Sequence, residues 1–270
     1  MSMTKKEQVP QNQAGLFFID DEVIVHCAKQ RALLPFHSTL DALQLTLLSL
    51  QTDQSMIITQ CTTALSMPAL LQKGYRLYPI KPALLRVKVE QHFYILRAYH
   101  WLNWTRQSQY CGQCGHRLTS SWDTTEKTCH SCQSTFFPRF SPAVMVLIQK
   151  GDDVLLARSP HFPPGDYSAL AGFIDVGESA EQAVHREVKE EVGLSITNLT
   201  YFSTQTWPFP DSFMIAFTAD YQSGTIQINQ EEIEDARWFH LGDLPPLSPS
   251  ISISRQLINA VASSWQRNKV

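Results

Sequence analysis

Residues 172–194 read GFIDVGESAEQAVHREVKEEVGL, and their apolar side chains recur at steps of three and four. That spacing places them on one face of an α-helix. The residues that share this face are Ala180, Ala183, Val184, Val188 and Val192. The pattern therefore predicts a helix over residues 179–192 that buries its apolar face against a core.

Acidic residues of the same helix point toward that buried face. At about 100° per residue, Glu187 and Glu191 lie inside the apolar sector and Glu190 lies at its edge. Buried carboxylates need a positive partner, and the negative end of the helix dipole disfavours them further. A solvated acidic face with ordinary ion pairs is the alternative, because charge runs usually face water. The inward placement instead favours a site for a hard divalent cation such as Mg²⁺ or Mn²⁺.

The fixed positions of this stretch resemble the Nudix box in every specified place. They are Gly172, Glu178, Arg186, Glu187, Val188, Glu190, Glu191, Gly193 and Leu194. So many residue types at fixed offsets make the match more specific than a short motif. The resemblance implies an α+β chain whose Nudix domain is an α/β/α sandwich with a mixed sheet. A catalytically inactive copy of the domain is the alternative.

Composition bounds the class of protein. The chain has 270 residues, 43% of them hydrophobic, and a formal net charge of −3. It can therefore form one large domain or two to three small ones, and its charge requires neither a nucleic acid nor a membrane as partner. No apolar signal segment follows MSMTKKEQVPQNQAG, and no apolar run reaches the length of a membrane span. We predict a soluble, cytoplasmic protein that does not associate with a membrane.

Four of the six cysteines form two close CxxC pairs. They are Cys111, Cys114, Cys129 and Cys132. Four thiolates form a tetrahedral ligand set for Zn²⁺, and the predicted zinc ribbon is structural because protein sulfur fills every position. His116 and His130 flank the pairs and are the alternative ligands, but we expect them to be exposed polar residues. Thiol ligands indicate a reducing compartment, and Cys27 and Cys61 have no assignable role.

These motifs divide the chain into three predicted domains, an N-terminal α+β domain at residues 1–106, a zinc ribbon at 107–140 and a Nudix domain at 141–270. In the first, GLFFID, DEVIVHC and SMIITQC resemble strands, and FYILRAYHWLNW is a strand or a final helix. In the third, PAVMVLIQKGDDVLLARS predicts a hairpin with Gly151 in its turn. Further strands are predicted at residues 168–174, 200–206, 213–221 and 236–240, and a last helix near 252–266.

A proline-rich loop follows the box at residues 203–212, STQTWPFPDS. Pro208 and Pro210 fix the backbone angle φ and stiffen the segment that holds Trp207 and Phe209. Such a loop can clamp a flat ring. The alternative is an apolar turn that closes the core, and the position after the box helix favours the binding role.

The box, the four-cysteine ribbon, FFPR at residues 136–139 and the QTWPFPDS loop together resemble the NADH pyrophosphatase family of Nudix hydrolases. The resemblance covers nearly the whole chain. The family motif after the box is SQPWPFPxS, from which this chain departs at Thr204 and Thr206. Phe137 stands where a tyrosine is common, so it keeps a stacking face but lacks the phenol hydrogen bond.

The resemblance implies hydrolysis of the pyrophosphate of NADH or NAD⁺ to nicotinamide mononucleotide and AMP, and removal of NAD caps from RNA 5′ ends in bacterial members. The catalytic residues that it implies are Glu187, Glu190, Glu191 and Glu232, which bind Mg²⁺ or Mn²⁺ together with the carbonyl oxygen of Ala171. Glu190 is a further ligand or the general base, and Glu231 is the alternative to Glu232. The implied substrate contacts are Phe137, Phe173, Gln205, Thr206, Trp207, Pro208, Phe209, Pro210, Asp211, Ser212 and Ser254.

Phe173, Glu178 and Arg186 lie close in sequence to the proposed metal ligands and also have structural interpretations. Phe173 is a platform for the nicotinamide ring or a core residue. Glu178 and Arg186 are expected to form an ion pair that orients the box loop. Family members are usually homodimers, so the resemblance also implies a homodimer, although the chain has no heptad pattern.

Other functions share some of these features. The box specifies only a diphosphate linked to another group, so ADP-ribose, diadenosine polyphosphates and coenzyme A are alternative substrates. A zinc-ribbon binding protein with an inactive Nudix module is an alternative of another class. The complete set of box carboxylates argues against that second alternative.

Overall fold

The computed structural model describes residues 15–19, 21–28, 31–33, 45–52, 57–63, 66–118 and 126–269. The chain divides into two compact units, Met1–Arg139 and Phe140–Val270. Residues 1–14, on which the predicted absence of a signal segment rests, lie outside the described residues. The middle of the ribbon insert, at residues 119–125, also lies outside them.

The first unit combines a mixed sheet with short helices. Its described strands are β1 (Gly15–Ile19), β2 (Glu22–Ala28), β3 (Arg31–Leu33), β4 (Leu45–Thr52), β5 (Ile57–Thr63) and β6 (Tyr75–Pro79). They lie in the order β3-β2-β1-β5-β4, and β6 pairs with β2. Strands β1 and β5 run parallel, whereas the other pairs are antiparallel. The predicted α+β character of this region is therefore confirmed.

The segment FYILRAYHWLNW, for which the sequence left strand and helix open, belongs to a helix. Ile95, Ala98 and Leu102 are buried, and their steps of three and four residues match one face of a helix. The helices of this unit are α1 (Met67–Gln72), α2 (Ile80–Leu84) and α3 (His92–Gln107), with a 3₁₀ turn at Val89–Gln91. A short hairpin of β7 (Lys127–Thr128) and β8 (Thr135–Phe136) follows within the ribbon.

A buried lysine joins this ribbon to the end of α3. The ammonium group of Lys127 donates to the carbonyl oxygens of Ser108 at 2.8 Å and Thr105 at 3.2 Å. It thereby satisfies carbonyls that the helix leaves without partners at its C-terminal end. The separation of residues 1–106 from 107–140 as distinct domains stays a prediction.

The second unit contains the predicted mixed sheet. Its elements are β9 (Ser141–Lys150), β10 (Asp153–Arg158), β11 (Leu170–Phe173), α4 (Ala180–Val192), β12 (Ser195–Trp207), β13 (Ser212–Ser223), β14 (Asp235–His240) and α5 (Ile253–Asn268). The strands lie in the order β12-β13-β9-β10-β14, and β11 pairs with β9. Strands β9 and β13 run parallel and the remaining pairs are antiparallel.

Strand β9 lies at the centre of this unit and shows why it is a sandwich. Val144 and Val146 pack in the cluster that contains the apolar face of α4. Met145 and Leu147 pack in the opposite cluster, which contains the apolar face of α5. Because successive side chains of a strand point to opposite faces, the continuous apolar run of β9 is buried on both sides. The α/β/α sandwich predicted from the box is confirmed.

The predicted hairpin and box helix are both present. Strands β9 and β10 are joined at Gly151, whose positive φ of 61° suits a glycine. Strand β12 begins at Ser195, five residues before the predicted start, because the residues that follow α4 already pair with β13. Within the described ranges, no helix combines the length and apolarity needed to cross a membrane.

Candidate active site

Helix α4 is fixed at both ends, and this sets the direction of its side chains. At its start, the hydroxyl of Ser179 accepts from the N–H of Gln182, and the Gln182 side chain accepts from the N–H of Ser179. This reciprocal pair is a capping box. At its end, Gly193 takes a left-handed conformation with φ of 72°. The rotation of α4 about its axis, which turns Glu187 and Glu191 inward, is therefore set by residues at the two ends of the helix.

Three carboxylates converge beside this helix. One oxygen from each of Glu187, Glu191 and Glu232 lies within 4.8 Å of the others. Glu191 is only 4% exposed, and within the described part of the chain its Oε2 has no hydrogen-bond partner. Burial, followed by the nearby carboxylates of Glu187 and Glu232, raises the pKa of Glu191 to about 8. This arrangement is unfavourable until a cation compensates it.

The loop after β13 brings Glu232 to the cluster. The N–H of Gln227 donates to the carbonyl of Val192, and that of Asn229 donates to the carbonyl of Glu191, both at 2.9 Å. The loop thus satisfies carbonyls at the end of α4 that have no partner within the helix. A turn at Asn229 then presents Glu232, whose N–H donates to the Asn229 carbonyl at 3.1 Å. Asparagine favours such turns, but the sequence alone did not reveal this contact.

Gly172 makes room for one of the carboxylates. A Cβ atom at this position would lie 1.9 Å from Cδ of Glu187, which is impossible without displacing that side chain. Gly172 belongs to β11 and pairs with Val144 of the central strand, so its backbone is held in place. The preceding residue, Ala171, lies on the same strand. The glycine of the box is therefore required by close packing, a reason that its spacing alone does not give.

Arg186 connects four groups around the cluster. Its guanidinium donates to Glu178 at 2.7 Å and to Glu187 and Glu190 at 2.9 Å each. It also donates to the carbonyl oxygen of Phe173 at 2.9 Å, at the end of β11. The ion pair expected between Glu178 and Arg186 is present. The additional bonds of Arg186 to β11 and to the other glutamates were not predicted.

The carboxyl groups of the site outnumber this arginine. Burial raises the pKa of Glu187 even though Arg186 lies beside it. Glu190 is more exposed and lies outside the group of three, where it pairs with Arg186. Carboxylate oxygens around an unpartnered buried oxygen suit a hard divalent cation. The three grouped glutamates therefore fit the ion that the box predicts.

The aromatic loop forms the tip of the hairpin between β12 and β13. The rings of Trp207 and Phe209 meet edge to face, with centroids 5.1 Å apart. Trp207 also packs against the apolar cluster that contains α5, as an apolar turn closing the core does. Pro208 is buried and Pro210 is exposed. The packing of Trp207 supports the apolar-turn interpretation, and the role of the loop in binding a flat ring stays a prediction.

The remaining residues of the predicted substrate site differ in accessibility. Phe173 is 55% exposed beside the carboxylates, and Phe137, in the first unit, is 62% exposed. Thr206 and Asp211 are partly exposed at the hairpin, whereas Ser212 is buried at its base. Both ends of the Gln205 amide are bonded to the backbone, and Ser254 is buried.

The four paired cysteines form a second cluster, in the first unit. Their sulfur atoms lie within 4.8 Å of one another, and two of the pairs approach to 3.5 Å. A tetrahedron of Zn–S bonds of about 2.3 Å separates sulfur atoms by about 3.8 Å, so the set fits Zn²⁺. The Ser134 hydroxyl beside its sulfur lowers the pKa of Cys132 to about 6, which favours the thiolate form. Against the backbone hydrogen bond at His116, burial and the other three thiols raise the pKa of Cys114, so the thiols share their protons unequally.

The two knuckles share one backbone geometry. In the first, Gly115 has φ of 74° and donates to the carbonyl of Cys111. In the second, Gln133 has φ of 63° and donates to the carbonyl of Cys129. Glycine suits this conformation in the first knuckle, whereas the glutamine at the equivalent position of the second knuckle does not reveal it in the sequence. His116 and His130 are exposed, as expected.

Comparison with known proteins agrees with this geometry. The family model of the NUDIX domain matches residues 139–260. A Chromobacterium violaceum protein named NAD-capped RNA hydrolase NudC is 47% identical over 180 residues, 67% of this chain and 68% of that protein. The protein of the same name from Pseudomonas aeruginosa is 51% identical over 156 residues, 58% of this chain and 56% of its own length.

A third relative of that name, from Pseudomonas syringae pv. syringae, is 52% identical over 157 residues, 58% of this chain and 56% of its own length. The chain therefore spans little more than half the length of the two Pseudomonas relatives. Among solved structures, a NUDIX hydrolase from Nitrosomonas europaea matches half of this chain and 80% of its own, with 20% identity and a TM-score of 0.43. By its sequence relatives and its box, this chain belongs to the NudC family of Nudix hydrolases.

Proposed function

We propose that this chain hydrolyses the pyrophosphate bond of NADH or NAD⁺, giving nicotinamide mononucleotide and AMP, and that it removes NAD caps from RNA 5′ ends. The observation that carries this proposal is the convergence of Glu187, Glu191 and Glu232 around an unpartnered buried oxygen. The names of the three relatives support the choice of an NAD-linked substrate.

The three glutamates would hold Mg²⁺ or Mn²⁺, with the carbonyl oxygen of Ala171 as a further ligand. When bound, such a cation neutralises pyrophosphate charge and lowers the pKa of a water molecule. Glu191 contributes a carboxylate whose Oε2 has no hydrogen-bond partner among the residues that the structure describes. Gly172 lets the Glu187 carboxylate lie directly against β11. The chain thus supplies a fixed set of oxygen ligands.

Hydrolysis requires a proton acceptor as well as these ligands. Water attacks one phosphorus atom, the bridging P–O bond breaks, and the leaving phosphate departs with the bridging oxygen. Glu190 is exposed at the edge of the cluster, where it can receive the proton of the attacking water. Arg186 holds Glu187 and Glu190 in one orientation through separate hydrogen bonds. We assign Glu190 as the general base and Arg186 as a positioning residue.

The exposed aromatic residues would bind the flat rings of the substrate. Phe173 is the last residue of β11 and its ring is exposed, which supports a role in stacking on the nicotinamide. Phe209, Thr206 and Asp211 at the hairpin tip are further contacts, and Phe137 offers a second exposed ring. Phe137 provides stacking without a phenol hydrogen bond.

The four-cysteine site would have a structural role only. Zn²⁺ bound there has four sulfur ligands and no open position for a substrate. Because thiolates persist in a reducing compartment, the cytoplasm is the proposed location. The proposed assembly is a homodimer, which the family resemblance implies.

A product analysis tests the function. Purified protein is offered NADH, NAD⁺, ADP-ribose and an NAD-capped RNA in parallel, with Mg²⁺ or Mn²⁺ and without an added divalent ion. We expect release of nicotinamide mononucleotide from the NAD compounds only when the ion is present. Faster processing of the RNA than of free NADH makes decapping the main activity, whereas preferred cleavage of ADP-ribose, or no cleavage at all, refutes the assignment.

A further inference from the structure

We infer that Asn229 is a positioning residue, whose side chain holds the turn that directs Glu232 toward the same ion as Glu191. The inference rests on the proposed function, because Glu232 is a ligand of the proposed catalytic ion. It deepens that proposal by assigning a role to a residue that lies outside the box and outside the aromatic loop. The contacts of the loop between β13 and β14 carry the argument.

Glu232 is the proposed ligand whose side chain has the least support. The carboxylate of Glu187 accepts from Arg186 at 2.9 Å, and Glu191 is buried. Glu232 is exposed, and its carboxylate forms no hydrogen bond or ion pair with another residue that the structure describes. The grouped carboxylates also repel one another when no cation lies between them. The direction of Glu232 therefore depends on its backbone.

The loop that leads to this residue is attached to the end of α4 by backbone contacts. The N–H of Asn229 donates to the carbonyl of Glu191 at 2.9 Å. A Cβ atom at Gly224 would lie 3.0 Å from the carbonyl oxygen of Gly193, the residue that ends the helix. The loop and the helix end thus approach more closely than a side chain at that position would allow. None of these contacts uses the side chain of Asn229.

The side chain of Asn229 instead closes the turn that follows. Its Oδ1 accepts from the N–H of Glu231 at 3.2 Å. Its carbonyl oxygen accepts from the N–H groups of Glu232 at 3.1 Å and Ile233 at 2.8 Å. This is the hydrogen-bond pattern of a helix N-cap, followed here by a single turn. Ile233 packs in the cluster that contains the apolar face of α4, so the far end of the turn is fixed as well.

Binding of Mn²⁺ to the zinc-loaded protein tests this role. Asn229→Ala removes the bond to Glu231 but keeps the backbone contacts of the loop, so the variant should fold. Asn229→Ser keeps a neutral side chain that can cap the turn. Gln230→Ala, at an exposed position of the same turn, is the matched control. Each protein is compared with wild type for melting temperature, for Mn²⁺ affinity by electron paramagnetic resonance, and for kcat with NADH.

We expect Asn229→Ala to bind Mn²⁺ about tenfold more weakly, which is typical for loss of a residue that orients a metal ligand. Asn229→Ser and Gln230→Ala should stay within about twofold of wild type, because both keep a capped turn. A higher Mn²⁺ concentration should restore most of the kcat of Asn229→Ala. Unchanged Mn²⁺ affinity in Asn229→Ala overturns the inference, and so does an equal loss in Asn229→Ser or Gln230→Ala.

A second substitution separates the orientation of Glu232 from a general loss of structure. Glu232→Gln removes the charge of this ligand, while Glu187 and Glu191 remain to bind Mn²⁺. If Asn229 acts through Glu232, Asn229→Ala should cause no further loss of Mn²⁺ affinity in the Glu232→Gln protein. A general loosening of the loop predicts the same loss in both backgrounds, and that result refutes the role even if the melting temperature falls.

These outcomes distinguish the inference from the proposed function. Mn²⁺ affinity requires no turnover, so it tests the role of Asn229 even if wild type fails to cleave NADH. Failure of wild-type cleavage with the expected Mn²⁺ pattern removes the proposed substrate but keeps the positioning role. Cleavage of NADH by wild type, with equal Mn²⁺ affinities in wild type and Asn229→Ala, keeps the function and removes the positioning role.

Discussion

The four-cysteine cluster and the three-glutamate cluster of this chain differ in chemistry. In each cluster one ligand atom per residue lies within 4.8 Å of the others. The four sulfur atoms approach one another in pairs, and the knuckle turns that carry them are closed by backbone hydrogen bonds. The carboxylate cluster instead keeps Oε2 of Glu191 without a partner in the described chain. The difference indicates a closed structural site and an open reactive one.

The clusters also differ in how they are assembled. Both cysteine pairs are carried by local turns of four residues, so their spacing in the sequence is enough to identify them. The carboxylates come from α4 and from a loop more than forty residues later, which reaches the helix end through backbone bonds of Gln227 and Asn229. A reactive site that depends on several elements should be more sensitive to substitutions that move those elements.

The largest effect is expected from the buried glutamate. Glu191→Gln removes the charge that the cation requires, so turnover should fall by at least about a thousandfold, or about 4 kcal/mol of transition-state stabilisation. Zinc content and circular dichroism should match wild type, because the amide has nearly the same shape. Initial rates with NADH and Mn²⁺ measure the effect.

Glu181→Gln is the control for this substitution. Glu181 is an exposed residue in the first turn of the same helix, away from the three grouped carboxylates. Its variant should retain nearly full turnover. A fully active Glu191→Gln protein would show that Glu191 is not a ligand of the catalytic ion.

Loss of a cysteine should disrupt the four-cysteine cluster and leave the carboxylate cluster intact. Cys129 is completely buried, and structural zinc contributes roughly 10 kcal/mol to the folding of small zinc modules. Cys129→Ser should therefore lose zinc and lose protection of the first unit from proteolysis, whereas Mn²⁺ still binds to the second unit. Ser131→Ala, at an exposed position of the same knuckle, is the control. Retained zinc at full stoichiometry would contradict the four-sulfur assignment.

Two glycines give a direct comparison between the clusters. Gly172→Ala places a methyl group where the Glu187 carboxylate lies, so Mn²⁺ affinity should fall by about tenfold to a hundredfold. Gly112→Ala, in the first knuckle, adds a methyl group that meets only Phe136 at 3.9 Å and should keep its zinc. Metal titration of both variants measures the contrast. Equal metal binding by Gly172→Ala and wild type would refute the close-packing explanation.

Much of the fold was predictable because its signals are local. Helix α4 shows the periodicity of its apolar residues, and the β9–β10 hairpin shows a glycine turn between apolar runs. The inward direction of Glu191 followed from the same periodicity, and its burial confirms it. These features depend on neighbours within a few positions of the sequence.

The features that the sequence did not reveal depend on contacts between distant elements. The amide of Gln205 resembles a substrate contact in its motif, but its bonds to Ile251 and Ile253 appear only when α5 packs below the hairpin. Arg186 was expected to pair with Glu178, and its bond to the Phe173 carbonyl depends on the position of β11. Residue types identify the site, whereas tertiary packing determines which atoms remain available to a ligand.

The last prediction concerns pH and applies to protein that retains zinc but has no added divalent ion. Burial, then the carboxylates of Glu187, Glu232 and Glu190, raises the pKa of Glu191 from 4.5 to about 8. Between these values the folded state holds a proton that the unfolded state has released. Stability should therefore fall as the pH rises from about 4.5 to about 8, by about 1.4 kcal/mol for each pH unit.

Glu191→Gln isolates this contribution, because the free energy of unfolding of wild type minus that of the variant cancels the titration of other groups, including the ion pairs of Arg186. The difference should decrease through that pH range and then level off. Excess Mn²⁺ should reverse the trend for wild type, since a carboxylate must lose its proton to bind the ion and binding strengthens as the pH rises. The cysteine cluster should contribute equally to both proteins. A difference independent of pH would mean that Glu191 is ionised in the folded state. Another group would then have to stabilise its buried charge.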